Sequence, residues 1–225
     1  MAESLYSEGD STNKWSQLTI EEAKTVKVIN LLSKEIKKNL KILDIGCNGG
    51  QLLDLAKMLG AITAGVDLSD RCIAIIKQKG HQHFSSIMEI DDNERFDIIT
   101  AFDLVEHLYN VPAFFDFCKT KLVDNGKLII LTGNVFSLNA QITQEKWWYL
   151  GAPEHIVFPS RLYFKYHTPF QFKEIIYTYA SIAYKEPVIK VLKSFFYQIF
   201  KDKYTGIPPI CPDHVLIVLQ KTNTK

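Results

Sequence analysis

The chain has 225 residues, 47% of them hydrophobic, and its 26 lysines and arginines against 25 aspartates and glutamates leave a formal net charge of +1. That length can bury the core of one α/β domain, while the balanced charge offers no basic field for neutralising phosphates, so no nucleic-acid partner is expected. Four widely spaced cysteines without a C-x-x-C pair (Cys47, Cys72, Cys118, Cys211) argue against a zinc site or disulfide framework and for reduced thiols in a cytoplasm, and the absence of a basic, apolar leader or a bilayer-length apolar run predicts a protein neither exported nor integral to a membrane.

Residues 1–18 are polar and mixed. Thr19-Ile20-Glu21-Glu22 then caps a predicted helix that carries Ala23, Val26, Val28, Ile29, Leu31, Leu32 and Ile36, giving a helical flap over residues 1–38. The segment 39–135 reads as a core. It opens with Lys41-Ile42-Leu43-Asp44-Ile45, a short apolar strand that runs into the turn Gly46-Cys47-Asn48-Gly49-Gly50. A helix is predicted over 51–59 with its stop at Gly60, a strand over 61–67 ending on Asp67, and a helix over 70–79 ending at Gly80. A short strand over 82–86, a buried strand over 96–102, a helix over 111–123 and a buried strand over 127–132 follow, the last after the turn Asp124-Asn125-Gly126. Such alternation predicts a parallel sheet wrapped by helices, and ligands of open sheets lie at the carboxyl ends of the strands, where Gly46, Asp67, Ser86, Phe102 and residues 132–134 converge. Residues 136–168 break the rhythm with Phe136, Trp147, Trp148, Tyr149, Phe158, Tyr163, Phe164 and Tyr166, which reads as a cap or insertion. Beyond it, 169–225 completes the sheet, with helices predicted over 168–180 and 188–200 and strands over 181–184 and 214–219.

Glycines in the turn after the first strand let the backbone approach a ligand closely, and an acid roughly 20 residues on can accept both ribose hydroxyls, so an adenosine-containing ligand is expected. Asp44 stands ahead of those glycines, where a diphosphate would be repelled, so a cationic ligand suits the turn better than NAD does. At these residues the sequence resembles the class I S-adenosylmethionine-dependent methyltransferases, whose first motif is Asp/Glu-x-Gly-x-Gly-x-Gly and whose second acid holds the ribose. Asn48 replaces the middle glycine, and asparagine tolerates left-handed backbone angles better than most residues. The run Phe102-Asp103-Leu104-Val105-Glu106-His107-Leu108 further resembles small-molecule methyltransferases of the ubiquinone-biosynthesis type.

The resemblance implies a Rossmann-like seven-stranded, mostly parallel sheet with helices on both faces, an antiparallel last strand, an N-terminal helical flap and an aromatic-rich insertion. It implies S-adenosylmethionine as cofactor and S-adenosylhomocysteine as product, held by Asp44, Gly46, Cys47, Asn48, Gly50 and Asp67. Leu68, Ser86 and Ile87 would meet the adenine, and Phe102 and Asp103 would lie along the methionine part. The methyl group would pass to a small-molecule, glycan or lipid-precursor acceptor, aromatic, glycosidic or anionic, most readily at oxygen. The protein supplies mainly positioning and a base, because the cofactor carries the reactive power. Histidine titrates near neutrality and is the natural base; His155, in the insertion that covers the crevice, is the first candidate, and His107, beside Glu106, the second. His81, His83 and His214 read as structural, and His167 as part of a helix start. One Glu-His pair is too few ligands for a metal, so none is expected. Trp147, Trp148 and Tyr149 are candidates to sandwich an acceptor or to anchor the insertion. The rival readings are an NAD-type oxidoreductase, which Asp44 counts against, and a non-catalytic S-adenosylmethionine-binding scaffold; the chain count, monomer or homodimer, is open.

Overall fold

Apolar residues that alternate between the two faces of successive strands build a seven-stranded sheet, seen in a computed structural model that describes residues 19–20, 24–150, 153–179 and 211–222. The strands are β1 (Lys41–Ile45), β2 (Ile62–Val66), β3 (Gln82–Phe84), β4 (Phe96–Phe102), β5 (Leu122–Gly133), β6 (Gln171–Thr178) and β7 (His214–Gln220), in the spatial order β3-β2-β1-β4-β5-β7-β6. β1 to β5 pair in parallel, and β7 runs antiparallel to both β5 and β6. Ile42, Ile98, Ile129, Leu131, Leu216 and Val218 face one core together with Val28, Leu31, Leu32 and Ile36. Their neighbours Leu43, Ile99, Leu128, Ile130 and Ile217 face the other, against Val111, Phe114, Phe115 and Phe164. Period-two burial on both faces is what a helix-wrapped parallel sheet demands.

The helices are α1 (Val26–Glu35), α2 (Gln51–Met58), α3 (Asp70–Gln78), α4 (Val111–Lys121), α5 (Leu138–Thr143) and α6 (Arg161–Tyr166). Local chemistry fixes their starts. Asn110 accepts from the Ala113 N–H ahead of α4 at 3.0 Å, with Pro112 in the first turn, and Ser137 and Ser160 cap α5 and α6 in the same way at 3.1 Å each. Ile20 is helical directly after the capping signal at Thr19, and the Lys24 N–H donates to its carbonyl at 2.8 Å; the chain then breaks at Lys24 and Thr25 before α1 begins at Val26.

The helix expected over 168–180 is instead strand β6. Phe172 and Ile175 both pack on the second core and Ile176 on the first, because the register with β7 shifts between Phe172 and Glu174. That irregularity places two core side chains three residues apart, the spacing of a helix, within a run whose Ile175-Ile176-Tyr177-Thr178 favours a strand. His167, expected at a helix start, closes α6 at its other end and stacks on Tyr163 with ring centroids 5.8 Å apart. The strand expected over 181–184 and the helix over 188–200 lie outside the described residues.

Gly65 in β2 shows how tightly the ligand turn is backed. A Cβ there would lie 2.7 Å from the Cys47 sulfur and 2.8 Å from Leu53 Cδ1, with Ile76 Cδ1 at 3.0 Å. Gly65→Ala is therefore expected to destabilise the fold by about 1–3 kcal/mol through overpacking, read as a lower urea midpoint at unchanged slope. An unchanged midpoint would mean that the turn yields without cost.

Candidate active site

The strand order reverses between β1 and β4, and the carboxyl ends of these strands carry the residues singled out in the sequence. Gly46, Asn48 and Gly50 take φ of +74°, +47° and +77°, so the chain turns through three left-handed residues. Asparagine at the middle position accommodates the turn. The Gly46 and Cys47 N–H groups donate to the Val66 carbonyl at 2.8 and 3.0 Å, which ties the turn to the end of β2. Cys47 presents only backbone to this edge: its thiol is buried beside Leu53 and Ile76, and burial pushes its pKa up.

Asp67 is half-buried, just past β2, and each of its oxygens accepts one backbone amide, Asn48 N–H at 2.8 Å and Ser69 N–H at 2.9 Å. Those bonds aim the carboxylate and leave each oxygen with lone-pair capacity for a diol. Burial raises its pKa while the two amides oppose the rise. Asp44 lies deeper in β1, 5% exposed, where the Thr100 hydroxyl donates to it at 2.6 Å. Burial pushes its pKa up to about 7, against the Thr100 bond and the charge of Lys24 and aided by the charge of Asp67. A buried carboxylate so short of compensation fits a positively charged ligand.

Leu68 is 74% exposed, which excludes a core role. The Ser86 hydroxyl accepts from the Met88 N–H at 3.2 Å and caps a short 3₁₀ turn that starts at Ile87, whose side chain packs on the core. At the end of β4, Phe102 packs on the core and Asp103 adopts φ of +50°, costly for a residue with a Cβ. Lys24 holds one Asp103 oxygen at 2.6 Å, with its ammonium 5.8 Å from the Phe102 ring centre, and the Tyr149 hydroxyl meets the other oxygen at 3.0 Å. Burial works to raise the Asp103 pKa, but Lys24 and His214 pull it below the ordinary carboxylate value.

Glu106 is fully buried. Its carboxyl receives the Thr132 hydroxyl at 2.9 Å and contacts the Tyr149 hydroxyl, whose pKa burial pushes far up. One phenol proton cannot serve both Asp103 and Glu106. Glu106, raised by burial and then by the charge of Asp103, is the group suited to carry the second proton. The insertion docks on this residue's backbone, since Ile156 and Val157 N–H donate to the Glu106 carbonyl at 2.8 and 3.2 Å.

His107 and His155 come together with ring centroids 4.6 Å apart. Nδ1 of each faces a backbone carbonyl, Glu154 at 3.0 Å and Tyr149 at 2.5 Å, respectively. A carbonyl only accepts, so both nitrogens are donors and in each neutral ring the lone pair sits on Nε2. Glu106, His107 and His155 offer ligand atoms within 4.8 Å of one another, a set that could hold a borderline transition-metal cation, although the sequence assigned none. Trp147 and Tyr149 are 3% and 6% exposed and form the insertion's own core with Ala140, so they anchor it. Lys24, Thr100, Asp213 and His214 had no local signal in the sequence. Apart from the bond between the neighbours Asp213 and His214, their side-chain contacts are made across long chain separations.

A switch-point crevice with an acid at the end of each of the first two strands is the architecture of the class I S-adenosylmethionine-dependent methyltransferases. The family described as "Methyltransferase domain" matches residues 17–166, and the chain belongs to it. Ubiquinone biosynthesis O-methyltransferases from Bradyrhizobium diazoefficiens and Bradyrhizobium sp. (strain ORS 278) are each 38% identical, over 112 and 118 residues, which cover 47% and 49% of this chain and 44% and 45% of theirs. The chain thus matches less than half the length of these curated relatives. Among solved structures, the N-methyltransferase NodS from Bradyrhizobium japonicum WM9 in complex with S-adenosyl-L-homocysteine shares the fold at a TM-score of 0.58 and 14% identity, covering 88% of this chain and 85% of that one.

Proposed function

We propose that this chain transfers a methyl group from S-adenosylmethionine to a hydroxyl of a small-molecule acceptor, with His155 as the base. The reading is carried by one juxtaposition: the Nε2 lone pair of His155, fixed by the Nδ1 bond to the Tyr149 carbonyl, in a cluster with His107 and Glu106 that follows directly on Asp103. Bound S-adenosylmethionine supplies an electrophilic methyl group on a sulfonium. Asp67 would accept the ribose hydroxyls, and the turn at Gly46, Cys47, Asn48 and Gly50 would lie against the nucleoside. Asp44 would balance the positive charge. Leu68, Ser86 and Ile87 would hold the adenine. Phe102 and Asp103 would hold the methionine end, with Asp103 for its ammonium and Lys24 for its carboxylate. His155 removes the acceptor proton as the oxygen attacks, and His107 seats the loop that carries it. The relatives named as O-methyltransferases support oxygen as the receiving atom.

S-adenosylhomocysteine release with 3,4-dihydroxybenzoate and with other hydroxyl, amine and thiol acceptors tests this reading. Turnover confined to hydroxyl acceptors is expected; turnover confined to amines would overturn it.

The pKa of Asp44 adds a pH signature. A carboxyl held protonated up to about 7 in the fold, against an ordinary value of 3.8, makes the apo protein lose this group's share of stability as pH rises from about 4 to about 7. Cofactor binding runs the other way, because the cation needs the ionised form. Affinity for S-adenosylmethionine should weaken by up to about tenfold per pH unit below 7 and level off above it. The slope should vanish in Asp44→Asn. Calorimetry between pH 5.5 and 8 checks this, and the same slope in wild type and variant would refute the role of Asp44.

A further inference from the structure

His214 opens β7 opposite Gly133 of β5, so its ring lies at the edge of the sheet where Asp103 follows β4. The side chains of His214 and Asp213 are both wholly buried, and Nδ1 of the ring donates to Asp213 Oδ1 at 2.8 Å. The second oxygen of Asp213 accepts two indole N–H groups of the insertion, Trp148 at 2.6 Å and Trp147 at 3.4 Å. On the opposite side of the ring, Nε2 lies 3.9 Å from Asp103 Oδ1 and has no hydrogen-bond partner among the described residues. Tyr149, the third member of the aromatic run, packs edge-on against the ring at 4.3 Å and donates to that same Asp103 oxygen.

A strand that needed only packing at this point would be served by apolar residues, because burying a histidine and an aspartate costs desolvation. Here the polar pair lies between the two indoles of the insertion and the Asp103 carboxylate, which Tyr149 also touches. The ring stands between two carboxylates, with Nδ1 on Asp213, which is tied to the insertion, and Nε2 facing Asp103 just past β4. Asp103 needs such support, since its φ of +50° persists only where the surroundings fix it.

We propose that Asp213 and His214 form a positioning pair that couples the seating of the aromatic insertion to the geometry of the Asp103 carboxylate, and so to cofactor affinity. The pair touches neither acceptor nor methyl group. This inference rests on Asp103 facing the methionine end of the cofactor, as proposed above.

Three substitutions in the full chain separate the contributions, with S-adenosylhomocysteine affinity measured by calorimetry and stability by thermal melting. His214→Asn keeps a donor toward Asp213 but withdraws the group facing Asp103, and should weaken binding about tenfold. His214→Gln, whose amide reaches the place of Nε2, should recover part of that loss. Trp148→Phe keeps the ring but removes an N–H from Asp213, and should weaken binding about threefold, with no further loss when combined with His214→Asn because both act through one carboxylate. A lower melting temperature with unchanged affinity in His214→Asn, or losses that multiply in the double variant, would overturn the coupling. Should His214→Asn fail to fold, unchanged affinity in Trp148→Phe alone overturns it. Asp103→Asn separates the two readings: if it leaves affinity intact, the placement of the cofactor fails; if it weakens binding while His214→Asn does not, only the positioning role fails.

Discussion

Asp67→Ala is expected to weaken S-adenosylhomocysteine binding by at least about a hundredfold, because two hydrogen bonds to a charged group, at about 1.5–3 kcal/mol each, are lost together. The geometry adds a second loss. Each oxygen of Asp67 also holds a backbone amide, that of Asn48 or of Ser69, so the variant removes one of the ties between the turn and the end of β2, while the Gly46 and Cys47 bonds to the Val66 carbonyl stay. Asp67→Asn separates the two effects, since its remaining oxygen keeps one amide and one ribose bond; an intermediate loss of about tenfold is expected. Melting curves for both variants report how much the turn itself has loosened. If Asp67→Ala folds and binds as well as wild type, the carboxylate only caps the turn.

His155→Gln should leave cofactor affinity within about twofold and lower the turnover number with a hydroxyl acceptor by about 10²–10⁴. The deficit should shrink with more acidic acceptors, such as nitrocatechols, which ionise without help. That dependence distinguishes a lost base from a disturbed fold, which would slow every acceptor alike. A chelator arm belongs to the same measurement. Under the base reading, EDTA leaves the rate unchanged; a rate abolished by EDTA and restored by a divalent cation would reassign Glu106, His107 and His155 to a metal.

What was legible in the sequence was local. The turn from Gly46 to Gly50 and Asp67 stand out because left-handed residues and a strand-end acid leave marks within a few positions, and β1, β2, β4 and β5 follow from short, mainly apolar runs, with glycines beside β1 and β2 and within β5. Asn48 was readable as a departure from the glycine pattern that the turn tolerates. β6 was misread because a register irregularity converts its period of two into an apparent helical spacing. His107 and His155 were each readable as candidates, yet their contact depends on how the insertion docks on the Glu106 carbonyl. Lys24 was not singled out and His214 was read only as structural, since a lysine before a helix and a histidine at a strand start carry no signal of the distant Asp103 that both face. The paired tryptophans were visible, but Asp213, the buried acceptor that explains them, lies 65 residues further on from Trp148.

The proposed preference of this edge of the sheet for a cationic nucleoside rests on two acids and a left-handed turn, and one titration addresses it directly. Calorimetry of the wild-type chain should show saturable binding of S-adenosylmethionine at one site per chain, and no heat of binding with NAD. Binding of NAD in place of S-adenosylmethionine, or of neither, would contradict the assignment of Asp44 and Asp67 to the cofactor.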